Sequence, residues 1–180
     1  MYKSACCPLP GTYLQLMMNV LIAGVGYQNL RDLSLGPTLV PVLRRIEWPP
    51  GVEIDDLSFG PIAVVQRFQD RPGYYDRIVF VSGVERGREP GRVYCYRWRG
   101  TLLDDAQVQE RVAEAVTGVI SLDNLLIIAQ RFGVLPRDVT IVEVEPEDTG
   151  WGLSFTPQVA AALDEVIATV RRAALGENNG

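Results

Sequence analysis

Residues 19–36 have the sequence NVLIAGVGYQNLRDLSLG, and this stretch decides the fold. It begins with an aliphatic run that ends at Gly24 and Gly26, continues through a polar loop that reaches Asp32, and leads into an apolar segment over 39–46. A buried strand, a glycine turn at its carboxyl end and a loop that leads into a helix are typical of open α/β sheets, which place functional groups at that turn. We therefore expect the functional edge of the molecule where this first strand ends.

Strand-like and helix-like segments alternate along the rest of the chain. Further strands are predicted over 52–55, 77–81, 92–98 and 139–144, and helices over 38–47, 61–69, 104–119, 122–132 and 157–175. The segment 92–98 follows its predecessor after a short loop, so we expect it to pair antiparallel at or near an edge of the sheet. The pattern predicts a three-layer αβα fold with a mainly parallel, twisted, five-stranded sheet that has one antiparallel edge strand.

The length of 180 residues suits a single α/β domain, which we place over 17–175. Residues 1–16 precede two methionines that stand directly before the first strand, so we expect them to form a disordered N-terminal extension, and we expect 176–180 to fray. The apolar run over 13–25 contains polar residues and is too short to cross a bilayer. We therefore predict no membrane partner.

Composition excludes several classes of function. The net charge of −5 argues against nucleic-acid binding, which depends on clustered basic residues. Five arginines do cluster around one predicted loop and strand, and we interpret them as a solvated edge rather than a polyanion site. They are Arg86, Arg88, Arg92, Arg97 and Arg99.

Cysteine and histidine usage narrows the chemistry further. The three cysteines lack C-x-x-C spacing, which suggests neither a disulfide framework nor a zinc site and favours the cytoplasm. Cys95 lies in the middle of a predicted strand and is expected to be a small buried apolar side chain. The chain has no histidine, so it lacks the commonest general base and the commonest transition-metal ligand.

Several segments together resemble the endopeptidases that mature nickel–iron hydrogenases by removing a C-terminal tail from the large-subunit precursor. The resemblance extends from Asn19 to Leu175 and depends on motifs that occur in a fixed order. They are VLIAGVG at 20–26 with Asp32 and Gly36, YDRIVFV at 75–81, EPGRV at 89–93, LP at 135–136 with VTIV at 139–142, EPE at 145–147 and GLSFTP at 152–157. The resemblance implies the αβα fold and a hydrogenase large-subunit precursor as the partner.

The chain departs from this family at three positions that define the activity. The family has a metal-binding acidic residue after the first-loop aspartate, an aspartate at the end of the third strand and a Ser-x-His element before the penultimate helix. The corresponding residues here are Leu33, Ser82 and Asp123. Leucine has no lone pair and a serine hydroxyl is a weak ligand, so only Asp123 could still bind metal. We therefore expect no metal and no cofactor, although the resemblance still implies a cleft. The residues expected to form it are Gly24, Gly26, Tyr27, Leu33, Ser82 and Asp123.

The remaining carboxylates permit two interpretations. Asp32 and Asp123, together with Asp56 or Glu85, could form an all-oxygen site for Mg²⁺ or Ca²⁺. The structural interpretation, which we favour, has Asp32 cap a helix or order the loop, Asp55 and Asp56 form an Asx turn, and Asp123 stand in the first turn of a helix.

Other enzyme chemistries find little support in the sequence. Ser82 could be a nucleophile only beside a base, and the only lysine, Lys3, lies in the extension. A dinucleotide-binding G-x-G-x-x-G motif also fails, because Asn29 stands where its third glycine would be.

The preferred hypothesis is a degenerate member of the maturation protease family that acts as a non-catalytic binding or assembly partner of a hydrogenase large subunit. One alternative is an active endopeptidase that uses an altered carboxylate site, with Asp32 and Asp123 as its candidate catalytic residues. Another is a small-molecule hydrolase that uses the same cleft. The fold alone does not separate them, because function depends on the site.

Overall fold

The computed structural model describes residues 18–177, so the predicted extension 1–16 and the last three residues of the tail lie outside the described residues. Strands and helices alternate as the sequence predicts. They are β1 (Val20–Gly24), a 3-10 helix (Arg31–Ser34), α1 (Leu35–Leu43), β2 (Val52–Asp56), α2 (Pro61–Gln69), β3 (Arg77–Gly83), β4 (Val93–Arg97), α3 (Asp105–Val116), α4 (Leu122–Arg131), β5 (Asp138–Val144) and α5 (Pro157–Leu175).

The five strands form one sheet in the order β2-β1-β3-β5-β4. The first four strands in this order run parallel, and β4 pairs antiparallel with β5 at the edge. This arrangement confirms the predicted fold class. The carboxyl ends of β1, β3 and β5 meet at one edge of the sheet, where Gly24 is paired with Val81 and Ser82 with Glu143.

Helices cover both faces of the sheet because its central strands are apolar on both sides. In β3, Ile78 and Phe80 join the core under α2 and α4, whereas Val79 and Val81 join the core under α1 and α5. Such continuous aliphatic runs are typical of parallel strands that are buried on both faces. Within residues 18–177, no helix is long and apolar enough to cross a membrane.

The first helix begins earlier than its two prolines suggest. We predicted it over 38–47, but α1 spans Leu35–Leu43, with Pro37 in its first turn and Pro41 inside it. Pro37 falls where the backbone N–H would have no helical partner, so it does not disturb the helix. The preceding 3-10 helix leads directly into α1, which the sequence pattern did not indicate.

A close contact between two glycines allows α1 to pack on β1. A Cβ atom on Gly24 would lie 2.4 Å from the carbonyl oxygen of Gly36, which no side chain tolerates without a backbone shift. Gly24 is therefore required by packing, and it does not line the cleft described below.

The prediction for Cys95 was wrong. Its side chain is exposed, because β4 is the last strand of the sheet and Val93 and Cys95 border an open groove between β4 and α5. Mid-strand position predicts burial only where a helix covers that part of the strand.

Candidate functional site

A small cleft of about 200 Å³ opens at the carboxyl edge of the sheet. The loops that follow β1 and β3 form one side of it, and the segment that leads into α4 forms the other. Five of the six residues expected at the cleft line it, and they are Gly26, Tyr27, Leu33, Ser82 and Asp123. Gly26 has no side chain, and this allows the two ends of the first loop to lie close together. A Cβ atom at this position would be 2.3 Å from the carbonyl oxygen of Leu33.

Tyr27 fixes the opposite wall of the cleft. Its hydroxyl oxygen accepts a hydrogen bond of 2.8 Å from the backbone N–H of Ile120, which is 93 positions away. Ile120 and Leu122 line the cleft beside Leu33 and Val84, so much of its wall is apolar.

Asp32 is buried away from the cleft, with only 1% of its surface exposed. Its carboxylate accepts hydrogen bonds from the N–H groups of Glu147 (2.9 Å), Asp148 (3.1 Å) and Thr156 (2.8 Å), and from the Thr156 hydroxyl (2.8 Å). These bonds join the first loop to the loop between β5 and α5. Asp32 thus orders a loop, as one of the two interpretations of the sequence proposed.

Asp123 stands in the first turn of α4 and forms a two-pronged ion pair with Arg86. Nη1 and Nη2 of Arg86 donate to the two carboxylate oxygens, both at 2.7 Å. The hydrogen bonds that Arg86 donates to Asp123 raise the pKa of Arg86 further above its usual value, although partial burial opposes this. Both oxygens of Asp123 are therefore already engaged by a cation.

Two buried glutamates extend this ion pair beneath the loop between β3 and β4. Glu143 is 1% exposed, pairs with Arg88 at 2.7 Å and with Arg86 at 3.4 Å, and accepts a hydrogen bond from the Tyr96 hydroxyl at 3.2 Å. The guanidinium of Arg88 also lies 3.6 Å from the centre of the Tyr94 ring. Arg86 and Arg88 do more than form the predicted solvated edge, because their charges also compensate buried carboxylates.

Glu145 anchors the backbone of the same loop and is 2% exposed. Its carboxylate accepts hydrogen bonds from the N–H groups of Arg86 (2.9 Å) and Gly87 (2.8 Å), and from Nε of Arg88 (3.0 Å). Burial alone would raise the pKa of Glu145, but these hydrogen bonds outweigh burial and lower it. Sequence reasoning missed Glu143 and Glu145 as site residues. The available signal was two acids at alternate positions, one in an apolar strand and one directly after its end, which places both on one face where the extended backbone continues.

These side chains do not fit a nickel site. Leu33 offers no ligand, Asp123 is bound to Arg86, and the Ser82 hydroxyl donates to the carbonyl oxygen of Gly83 at 3.3 Å. Within residues 18–177, no three histidine, cysteine, aspartate or glutamate side chains converge as a metal site would require.

The other acidic candidates are committed to local structure. Asp56 accepts from the N–H of Ser58 two residues further on, which is the predicted Asx geometry, whereas Asp55 pairs with Arg44 and Arg67. Of these candidates, only Glu85 lines the cleft together with Asp123.

Comparison with known proteins identifies the family. No family model matches the chain. It is 30% identical over 164 residues to the hydrogenase 2 maturation protease of Escherichia coli K12. The aligned region covers 86% of this chain and 92% of that protein.

Solved structures show the same fold. The hydrogenase-maturating endopeptidase HybD from E. coli has a TM-score of 0.64 and 26% identity, with 89% of this chain and 93% of that one covered. The hydrogenase 2 maturation peptidase from Thaumarchaeota archaeon SCGC_AB-539-E09 has a TM-score of 0.61 and 26% identity, with 89% and 99% covered. Identity of 30% across nearly the full length of a curated relative, together with this common fold, shows that the chain belongs to the hydrogenase maturation protease family.

Proposed function

We propose that this protein binds a hydrogenase large-subunit precursor as a non-catalytic assembly partner and leaves the C-terminal tail of that precursor in place. The class of partner follows from the relatives, which are named as hydrogenase maturation proteases. The absence of cleavage is inferred from the chemistry of the cleft. A cytoplasmic location stays a prediction from the cysteine content.

The pair between Arg86 and Asp123 carries this proposal. Peptide hydrolysis needs a general base or a metal ion to activate water. Asp123 is the only acid at the three family positions, and both of its oxygens accept hydrogen bonds from the guanidinium of Arg86. The guanidinium competes with water for both of these oxygens, and the chain has no histidine to replace Asp123 as a general base.

Apolar surface at the same edge of the molecule favours a binding role. In the loop between β5 and α5, Trp151 is 75% exposed and Leu153 is 84% exposed. Gly152 between them forms an isolated parallel β-bridge with Leu30 of the first loop, which holds the backbone of this segment in place. Aromatic side chains such as Trp151 are enriched in protein-binding surfaces.

An active endopeptidase is the second candidate, and the similarity to named proteases favours it. Such an enzyme would need Asp123 released from Arg86 when the precursor binds. Glu85, which lines the cleft with Asp123, would then be the second carboxylate available to bind or activate water.

The deciding experiment mixes the purified protein with the large-subunit precursor from the same genome, in nickel-loaded and nickel-free forms. Native mass spectrometry detects a complex and intact-mass analysis detects loss of the tail. The E. coli hydrogenase 2 maturation protease with its own precursor serves as the positive control. We expect a complex with both forms of the precursor and an unchanged precursor mass.

Two outcomes would contradict this expectation. Removal of the tail by the wild type and by Asp164→Asn, but not by Asp123→Asn, would establish an enzyme. Asp164→Asn serves as the control because Asp164 lies on α5, away from the cleft. If the protein neither binds nor cleaves the precursor, it takes no part in hydrogenase maturation.

A further inference from the structure

We propose that the guanidinium of Arg86 is a built-in cation beside the cleft, which bridges Asp123 and Glu143 and thereby excludes divalent metal ions from these two carboxylates. The inference concerns the protein alone and does not depend on the identity of its partner.

The geometry of one nitrogen atom supports the bridging role. Nη2 of Arg86 lies 2.7 Å from Oδ1 of Asp123 and 3.4 Å from Oε2 of Glu143. A cation at that point is therefore in contact with one carboxylate from α4 and one from β5. A bridging divalent ion would hold two carboxylates in the same way, but it could dissociate.

The charges around Arg86 show why a cation is needed there. Asp123, Glu143 and Glu145 supply three carboxylates, and Arg86 and Arg88 are the guanidinium groups that pair with them. Glu143 and Glu145 are almost fully buried, and a buried charge is tolerated only when it is compensated. Without Arg86, one guanidinium would remain against three carboxylates.

The loop that carries Arg86 is itself fixed to this cluster. The backbone N–H groups of Arg86 and Gly87 donate to Glu145 at 2.9 and 2.8 Å. Arg88 pairs with both glutamates from the same loop. The backbone of Arg86 is thus held by one buried carboxylate, Glu145, while its side chain pairs with Asp123 and Glu143.

A thermal-unfolding experiment tests this inference. Wild-type protein and Arg86→Ala are unfolded in EDTA, in Mn²⁺ and in Ni²⁺. We expect the Tm of the wild type to be the same in all three solutions. We expect the Tm of Arg86→Ala to be lower in EDTA and to rise by several degrees in millimolar metal ion, since a ligand that binds only the folded state stabilises it.

Three further variants serve as controls. Arg111→Ala removes an exposed arginine that pairs with Glu114, and it should leave the protein as insensitive to metal as the wild type. Arg86→Lys keeps a positive charge and should also be insensitive. Arg86→Ala combined with Asp123→Asn should lose the response to metal, because one of the two bridged carboxylates is gone. If Arg86→Ala does not fold in any of the solutions, Arg86→Gln replaces it in the same measurement.

Several results would overturn the inference. One is a rise in the Tm of the wild-type protein in metal ion that is absent in Asp123→Asn. Asp123 would then bind metal despite its pairing with Arg86. Another is a folded variant without Arg86 that remains insensitive to metal. A Tm of that variant that methylguanidinium restores and neither metal ion raises would also contradict the inference. The site would then require the shape of a guanidinium and not simply a cation.

Discussion

The carboxylate of Asp32 accepts two hydrogen bonds from Thr156, one from its backbone N–H and one from its hydroxyl, both at 2.8 Å. Thr156 is 124 positions further along the chain and is the residue before the first turn of α5. Asp32 thus fixes the first loop, which carries Leu33 into the cleft, against the start of the last helix. The aspartate that the family resemblance places at the functional edge determines the shape of that edge.

Replacing Asp32 by asparagine should lower the free energy of unfolding by about 3 kcal/mol. The amide loses the charge of a carboxylate that accepts four hydrogen bonds, and its NH₂ group faces donors instead of acceptors. Urea denaturation followed by circular dichroism measures the loss. Asp164→Asn on α5 is the matched control, with an expected change of at most about 0.5 kcal/mol. Equal effects of the two substitutions would show that the buried bonds of Asp32 contribute nothing.

The contact between Gly24 and Gly36 should make Gly24→Ala strongly destabilising. The added Cβ would lie 2.4 Å from the Gly36 carbonyl oxygen and 2.7 Å from Cγ2 of Val40, so α1 must move away from β1. We expect a loss of about 3 kcal/mol in the free energy of unfolding. Gly60→Ala is the control, because a Cβ atom on Gly60 would meet nothing within 4 Å and the φ of this residue is −53°. A control loss as large as that of Gly24→Ala would contradict the packing argument.

The sequence predicted the strands and helices well where local pattern and packing agree. The run Ile78 to Val81 is apolar at every position and rich in β-branched residues, as is typical of a strand covered on both faces, and the structure places β3 in the centre of the sheet. The start of α1 could not be predicted in this way. It depends on the 3-10 helix before it and on contacts made by the first loop with residues more than 100 positions away.

The ion-pair cluster was beyond local pattern for a related reason. Arg86 and Asp123 are 37 positions apart and belong to a loop and a helix that the tertiary fold brings together. The motif positions Leu33, Ser82 and Asp123 could be named from the resemblance, and their placement around one cleft follows from the parallel sheet. The pairing of Asp123 with a guanidinium could not be predicted without the register of β5, which brings Glu143 beside Ser82.

The edge strand β2 should make the stability of the protein depend on pH in the acid range. Hydrogen bonds from Arg71 chiefly, and from Tyr75 and Tyr74, lower the pKa of Glu53 from 4.5 to about 2. The folded state therefore binds this proton less readily than the unfolded state, so the contribution is complete above about pH 4.5 and disappears as the pH falls towards about 2.

Glu53→Gln should remove this dependence. Because 37% of the Glu53 side chain is exposed, solvent screening reduces the contribution to about 1 kcal/mol. Urea denaturation of wild type and Glu53→Gln at several values of pH should show a difference that is largest near neutrality and shrinks in acid. A difference that stays constant from neutrality down to about pH 2 would contradict this assignment.

Tyr27→Phe should loosen the wall of the cleft without altering the fold. The substitution removes only the hydroxyl that accepts the hydrogen bond from the N–H of Ile120, and it keeps the ring that lines the cleft. We expect a loss of about 1 kcal/mol in stability and faster hydrogen exchange at Ile120 and its neighbours, measured by mass spectrometry on peptides that cover 117–121. Tyr94→Phe is the control, since its ring lies under Arg88 and its hydroxyl forms no hydrogen bond within residues 18–177. Exchange over 117–121 that is the same in both variants would mean that Tyr27 does not fix this wall.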